Sequence, residues 1–306
     1  MLKASFFGAT DVGKVRDLNE DAYISQYIWD ERHLLLAAID GLGGYEGGEV
    51  AAGLAQKTII GYLEGSRGDS LGLLKEAIAE ANNEIVRQKA SNHSVSQMGC
   101  VATVCIIELD ASRIIIAHVG DTRLYQFYKN QLQKLTHDHS PVGEMEDGGK
   151  LSEQEAMNHP RRNIVERYLG EYEKDANTPN FIEAGIFPLS SGMQFLLCSD
   201  GLSDLLTFKE ISSVLARSLH VKNKVRTFIK MANSKGGKDN VTAVIVSITG
   251  SSEQKKEGAP KRGKQKKGVL TSKEEVPEYK PFAFWMLIVI ISFFLGIGVG
   301  YYIANI

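Results

Sequence analysis

Cysteine is scarce in this 306-residue chain, and the three present, Cys100, Cys105 and Cys198, stand in apolar runs with no C-x-x-C spacing. That pattern points to neither a disulfide framework nor a thiolate zinc site, and it suits a reducing compartment. The opening stretch, MLKASFFGATDVGKV, lacks the unbroken apolar run of a secretory signal, because Gly8, Asp11 and Gly13 interrupt it. The globular part is therefore expected in the cytosol. Positive charge is short where most of the mass lies. Nine Lys/Arg against five Glu put residues 251–280 at +4, and with no charge beyond residue 280 the first 250 residues carry −6 within a total of −2. A body of that sign argues against nucleic acid as a partner, since a phosphate backbone calls for concentrated positive charge.

What the chain does contain is a series of short β-branched runs with polar punctuation. Residues 34–39 precede Asp40-Gly41, residues 114–119 precede Gly120-Asp121, residues 195–198 precede Ser199-Asp200-Gly201, and residues 241–248 follow Asp239-Asn240. Each reads as a buried strand. Residues 49–63 and 71–88 space their apolar side chains more widely between charged faces and read as helices. Strands around a helical pair, followed by more strands, predict an α+β fold, a four-layer α-β-β-α sandwich. A polar excursion over 136–163 interrupts it, and Ser152 followed three residues later by Glu155 predicts a small capped helix at 152–158.

The globular pattern stops near residue 250, so residues 1–250 read as one domain. Residues 251–280 are Lys, Glu, Gly, Ser and Pro with few large apolar groups, which predicts a disordered basic linker. Residues 281–306 carry no charge, and 282–303 would span about 33 Å as a helix, close to a bilayer core. A single membrane crossing is predicted, with Trp285, Tyr301 and Tyr302 near its ends and the basic linker on the cytoplasmic side. Lys255, Lys256, Lys261, Arg262, Lys264, Lys266 and Lys267 either touch anionic headgroups or form a plain solvated tether. Gly296 and Gly300 make a G-x-x-x-G pattern, a weak signal for helix pairing.

Asp40, Asp121, Asp200 and Asp239 stand at the polar ends of predicted strands, and Asp21 stands at a strand start after a polar stretch. Taken singly, an Asp-Gly at a strand end is a turn, with Gly supplying positive φ and Asp bonding its own backbone. Converging strand ends would instead gather the carboxylates at one sandwich edge, where only cations relieve their repulsion. Oxygen donors without Cys or His favour Mg²⁺ or Mn²⁺ over zinc. Two such ions about 4 Å apart can hold a hydroxide for in-line attack on a phosphoryl group. Arg16, five residues before Asp21, has the planar fork suited to phosphate, although alone it reads equally as a surface charge.

Seven segments in order carry a family resemblance. They are GATDVGKVRDLNEDA (8–22), AIDGLGGYEGGEVAA (38–52), AHVGDTRLYQF (117–127), LTHDHS (135–140), HPRRNIVERYLG (159–170), FLLCSDGLSDLL (195–206) and KDNVTAVIV (238–246). Together they resemble the PP2C (PPM) family of metal-dependent Ser/Thr protein phosphatases over about residues 5–248. The resemblance implies that Asp40 bridges two metal ions, with the Gly41 carbonyl on one and Asp21, Asp200 and Asp239 on the other. It further implies that Asp121 serves a third, weaker ion, that Arg16 binds phosphate, and that residues 141–163 form a flap that helps choose substrates.

Departures from the family pattern include Leu42, where many eukaryotic members carry a histidine proposed as general acid. Leucine cannot donate a proton, and bacterial members resemble this chain there, so metal-bound water or another group would protonate the leaving oxygen. His137, His139 and His159 lie in matched motifs and read as structural hydrogen-bonding groups rather than acids. Cys100 and Val101 after Met98-Gly99, and Glu166, replace threonines common in the family. The implied partners are phosphoproteins, a membrane-bound Ser/Thr kinase and its substrates, and the implied place is the cytoplasmic face of a bacterial inner membrane. Two other readings are a phosphoprotein-binding pseudophosphatase, against which the retained aspartates speak, and a phosphatase of an anti-sigma antagonist.

Overall fold

The computed structural model describes residues 1–43, 47–92 and 96–250. Among them no helix is long and apolar enough to cross a membrane. The predicted linker at 251–280 and span at 281–306 lie outside the described residues.

In chain order the strands are β1 (Leu2–Asp11), β2 (Asp21–Ile28), β3 (Asp30–Leu42), β4 (Gly99–Glu108), β5 (Arg113–Val119), β6 (Arg123–Tyr128), β7 (Gln131–Lys134), β8 (Glu183–Pro188), β9 (Gln194–Cys198) and β10 (Val241–Gly250). The helices are α1 (Gly47–Glu64), α2 (Ser70–Ser91), α3 (Pro141–Asp147), α4 (Glu153–Met157), α5 (Asp200–Ser203), α6 (Phe208–Leu215) and α7 (Val221–Ser234). One antiparallel sheet runs β1-β10-β9-β6-β7 and the other β2-β3-β4-β5-β8.

Alternation along the central strands explains the layering. In β3, Leu35, Ala37 and Ile39 pack with α1 and α2, whereas Leu34, Leu36 and Ala38 pack in the core between the sheets. In β10, Val244, Val246 and Ile248 enter that same core, while Val241, Ala243 and Ile245 pack with Phe228 and Val225 of α7. Strands covered on both faces read as unbroken apolar runs, and two such sheets between helices make the α-β-β-α sandwich.

The predicted helix at 152–158 is α4, with Ser152 and Glu155 forming a reciprocal capping box. The excursion containing α3 and α4 is tied to the core. Arg162 Nε donates to Asp204 Oδ2 at 2.6 Å, and the Phe208 N–H donates to Glu153 Oε1. The three cysteines are free and buried, and burial raises their thiol pKa values, which leaves them unreactive.

Candidate metal centre

The pairing register brings the first two aspartates together: Asp21 at the start of β2 lies opposite Asp40 near the end of β3. Asp40 continues the even-numbered row of β3 whose members fill the space between the sheets, so the row becomes polar where the sandwich opens. From the other sheet, β9 runs into Ser199 and α5, which places Asp200 in the first turn of that helix, and Asp239 precedes β10. Ser199 Oγ donates to Asp21 Oδ2 at 2.7 Å across the two sheets.

A cavity of about 200 Å³ opens at this end, lined by Arg16, Asp40, Gly41, Asp121, Asp200 and Asp239 among others. Asp21 is buried behind it. Arg16, Asp40, Gly41, Asp121, Asp200 and Asp239 therefore meet at one mouth, while Asp21 does not line it but stands opposite Asp40 in the strand register, and His137, His139 and His159 lie outside it. Two glycines make the approach of the backbones possible. A Cβ on Gly41 would stand 2.2 Å from the Gly48 carbonyl oxygen and 2.6 Å from that of Glu20, and one on Gly120, whose φ is +111°, would stand 2.1 Å from Val101 Cγ1.

Electrostatics mark the mouth as short of positive charge. Burial, followed by the fields of Asp21, Asp200, Asp121 and Asp239, pushes the Asp40 carboxyl well above the carboxylate range. Asp200 is raised well above that range by burial and by Asp204, Asp121, Asp239 and Asp21. Burial is also the leading cause that pushes Asp21 and Asp121 up to about 7. Arg16 Nη2 donates to Asp239 Oδ2 at 2.9 Å, and among the described residues Asp21, Asp40, Asp121 and Asp200 make no ion pair, although the field of Arg123 reaches Asp121.

Asp21 Oδ1 is buried and has no hydrogen-bond partner among the described residues. An orphaned carboxylate oxygen inside a set of mutually repelling aspartates is the environment that a hard divalent cation satisfies, and the all-oxygen donor set fits Mn²⁺ or Mg²⁺. A second cluster, His118, His139 and Glu183, has ligand-type atoms within 4.8 Å of one another. Its nitrogens are largely committed to the fold. His118 Nδ1 accepts from Thr103 Oγ1 at 2.8 Å while its Nε2 donates to the His137 carbonyl at 3.1 Å, and His139 Nδ1 accepts the Gly120 N–H at 3.0 Å. Buried in this way, His118 falls to about 4 and stays neutral. His137 bonds Glu183 at 2.8 Å, and His159 Nδ1 accepts the Arg161 N–H at 3.2 Å.

Several residues that sequence reasoning passed over build the mouth. Asn240 knits the Arg16 loop to β10. Its amide donates to the carbonyls of Val12 and Leu18, both at 2.9 Å, and its oxygen accepts the Glu20 N–H at 2.7 Å. Glu20 lines the cavity and accepts the Gly48 N–H at the start of α1 at 3.2 Å. Asp204 pairs with Arg162, and Asn163 and Val165 complete the rim. Asn240 had one signal available, a polar side chain opening a buried strand. Glu20 and Asp204 had none, because their partners are distant in sequence.

A carboxylate-lined mouth at one end of a four-layer sandwich defines an oxygen-donor metal protein. The pattern described as "Protein phosphatase 2C" matches residues 14–241, and the chain belongs to that family. The serine/threonine phosphatase stp of Listeria welshimeri is 33% identical over 246 residues, covering 78% of this chain and 93% of the relative. The structure of the serine/threonine phosphatase Stp1 from Staphylococcus aureus is similar at a TM-score of 0.72 with 29% identity, covering 82% of this chain and 96% of that one. The catalytic domain of the phosphatase PstP, solved with two manganese ions, is similar at a TM-score of 0.70 with 28% identity, covering 82% of this chain and all 100% of its own.

Proposed function

We propose that the chain is a metal-dependent protein serine/threonine phosphatase that hydrolyses phosphoserine and phosphothreonine, with its metal site in the aspartate mouth. The observation that carries this reading is the gathering of Asp40, Asp121, Asp200 and Asp239 around one cavity, with Asp21 and its orphaned oxygen opposite Asp40 in the β2–β3 register. Asp40 and the Gly41 carbonyl would hold one ion, Asp40 with Asp21, Asp200 and Asp239 the other, and Asp121 a third, weaker one. Bound there, Mn²⁺ or Mg²⁺ supplies Lewis-acid pull on the phosphoryl oxygens and lowers the pKa of water.

The chain's own groups do the rest. Arg16 reaches the cavity from a loop pinned by Asn240, and its fork, paired here with Asp239, would bind the phosphoryl oxygens when that pair opens. Leu42 and Val165 put apolar surface into the same cavity, which thins the water there and strengthens every charge contact. Leu42 carries no proton, so the leaving serine or threonine oxygen draws its proton from water or from another group. The retained aspartates support turnover over phosphoprotein binding alone.

Residues 1–250 form the catalytic part in this reading, residues 251–280 a basic tether, and the uncharged residues 281–306 a membrane anchor that keeps the enzyme at the cytoplasmic face. A Ser/Thr kinase and its substrates are the matching partners. The test is hydrolysis of p-nitrophenyl phosphate and a phosphothreonine peptide. Activity lost in EDTA and restored by Mn²⁺ is expected, and turnover that persists in EDTA would refute the metal mechanism. Fractionation of cells with and without residues 281–306 tests the anchor, and a full-length chain found in the soluble fraction would refute it.

A further inference from the structure

A groove of about 490 Å³ runs from the catalytic mouth between the excursion bearing α4 and the turn that joins α7 to β10. It shares Arg16, Asn163 and Asp239 with the metal cavity, so the two spaces are continuous. Its volume falls in the range of roughly 300–1,000 Å³ that accommodates an extended ligand, more than one phosphoryl group needs. Four cations, Arg16, Arg162, Lys235 and Lys238, outnumber two carboxylates, Asp204 and Asp239, along its walls, although the first 250 residues carry −6. Arg162 stands on the side of the excursion, and Lys235 and Lys238 stand on the other.

These cations differ in how far they are committed. Arg162 is bound to Asp204 at 2.6 Å, and Lys235 to Glu210 at 2.6 Å and to the Leu205 carbonyl at 2.8 Å. Lys238 is exposed and has no hydrogen bond or ion pair among the described residues. It is held out by a turn that suits glycine, since Gly236 and Gly237 take φ of +126° and +50°. Lys14, whose backbone N–H donates to the Gly237 carbonyl at 2.7 Å, pins the other side of the same turn and lines a separate hollow with Asp11 and Arg226. An uncompensated ammonium group beside a phosphate-accepting mouth favours an anionic side chain next to the reacting residue.

We propose that this groove reads the flank of the substrate, and that the enzyme prefers phosphothreonine or phosphoserine segments carrying a further anionic side chain, which Lys238 receives with Lys235 beside it. This inference rests on the phosphatase reading of the mouth. Contacts of this exposed kind are each worth about two- to fivefold and weaken with salt.

The test uses the full-length chain with Mn²⁺ and four phosphothreonine peptides that differ only in their flanks, which are alanine, aspartate, a second phosphothreonine or lysine. The aspartate peptide is expected to exceed the alanine peptide in kcat/KM by about fivefold, with the lysine peptide below both. Comparing aspartate with the second phosphothreonine tells whether the groove takes carboxylates or phosphates. Lys238→Glu should erase or invert the ratio, and added KCl should shrink it. Equal values for acidic and neutral flanks, or a ratio indifferent to Lys238→Glu, overturns the proposal. Fluorescence anisotropy of the same peptides separates the two levels. Preferential binding of acidic flanks without turnover would sink the phosphatase reading alone, and turnover without preference would sink the groove alone.

Discussion

Asp138 and Asp21 are both buried, yet the protein treats them in opposite ways. Burial should raise both. Asp138 is nevertheless held below the carboxylate range, because Arg123 donates to both of its oxygens, at 2.9 and 2.6 Å to Oδ2 and 3.1 Å to Oδ1, and Lys134 adds a contact at 3.2 Å. Asp21 has only neutral hydroxyls beside it, Ser199 at 2.7 Å and Thr242, and no hydrogen-bond partner on Oδ1 among the described residues, and burial lifts it to about 7. The same residue type at similar depth thus marks a finished ion pair in one place and an unmet demand for positive charge in the other. Clustering of acids does not by itself indicate a metal site; missing countercharge does.

The sharpest way to break this contrast is to alter one member of each group. Asp40→Asn is expected to lower turnover of p-nitrophenyl phosphate by at least about 10²-fold in saturating Mn²⁺. The metal-free fold should lose nothing in a thermal melt, since one repelling carboxylate has gone. Asp138→Asn should do the reverse. It leaves Arg123, still paired with Glu146 at 2.8 Å, and Lys134 facing a neutral amide and costs about 1–3 kcal/mol in urea unfolding, while the folded fraction still binds Mn²⁺ by calorimetry. If Asp138→Asn instead removes Mn²⁺ binding and spares stability, the distinction fails.

A smaller effect lies in the pH dependence of stability. In EDTA the folded chain holds protons on Asp21 and Asp121 that the unfolded chain releases near pH 3.8. Their contribution is therefore complete below that pH and is lost as pH rises through about 7. His118 runs the other way: with a folded pKa of about 4 against an ordinary 6.5, its contribution is complete above 6.5 and is lost as pH falls through about 4. Mn²⁺ relieves the first and leaves the second alone. The stabilisation on adding Mn²⁺, followed as a rise in Tm, should therefore grow from about pH 5 to about pH 7.5, the free energy reaching about 2.7 kcal/mol when Mn²⁺ exceeds its Kd a hundredfold. A Tm increment that is flat across this window would argue against cation binding at these carboxylates.

The smallest expected change is Arg16→Lys, which keeps the charge and loses the fork. kcat/KM for a phosphopeptide should fall about tenfold. Stability should move by less than about 1 kcal/mol, because Arg16 is exposed and its pairs with Asp239 and Glu20 are worth little. A stability loss as large as that of Asp138→Asn would make Arg16 a structural residue instead.

Much of this was legible before any coordinates. The apolar run at 34–39 sits inside β3, and the runs at 114–119, 195–198 and 241–248 sit inside β5, β9 and β10. The ends were missed where strands leave the core, as at Asp30–His33, because polar residues there carry no periodic signal. The β6–β7 hairpin was also hidden. Its turn places Lys129 and Asn130 at φ of +50° and +60°, and lysine is not a residue whose presence announces such a conformation.

Sequence by itself determined which aspartates stand at strand ends and in what order, since alternation and turn chemistry are local properties of neighbouring residues. Only the tertiary structure decided which carboxylates are satisfied. Ser199 reaches Asp21 from 178 residues away, Arg16 reaches Asp239 from 223 away, and Asp138 finds Arg123 only because a loop returns to β6. Countercharge comes from whatever the packed sheets bring within a few ångströms, and that distance is not written in the spacing of the chain.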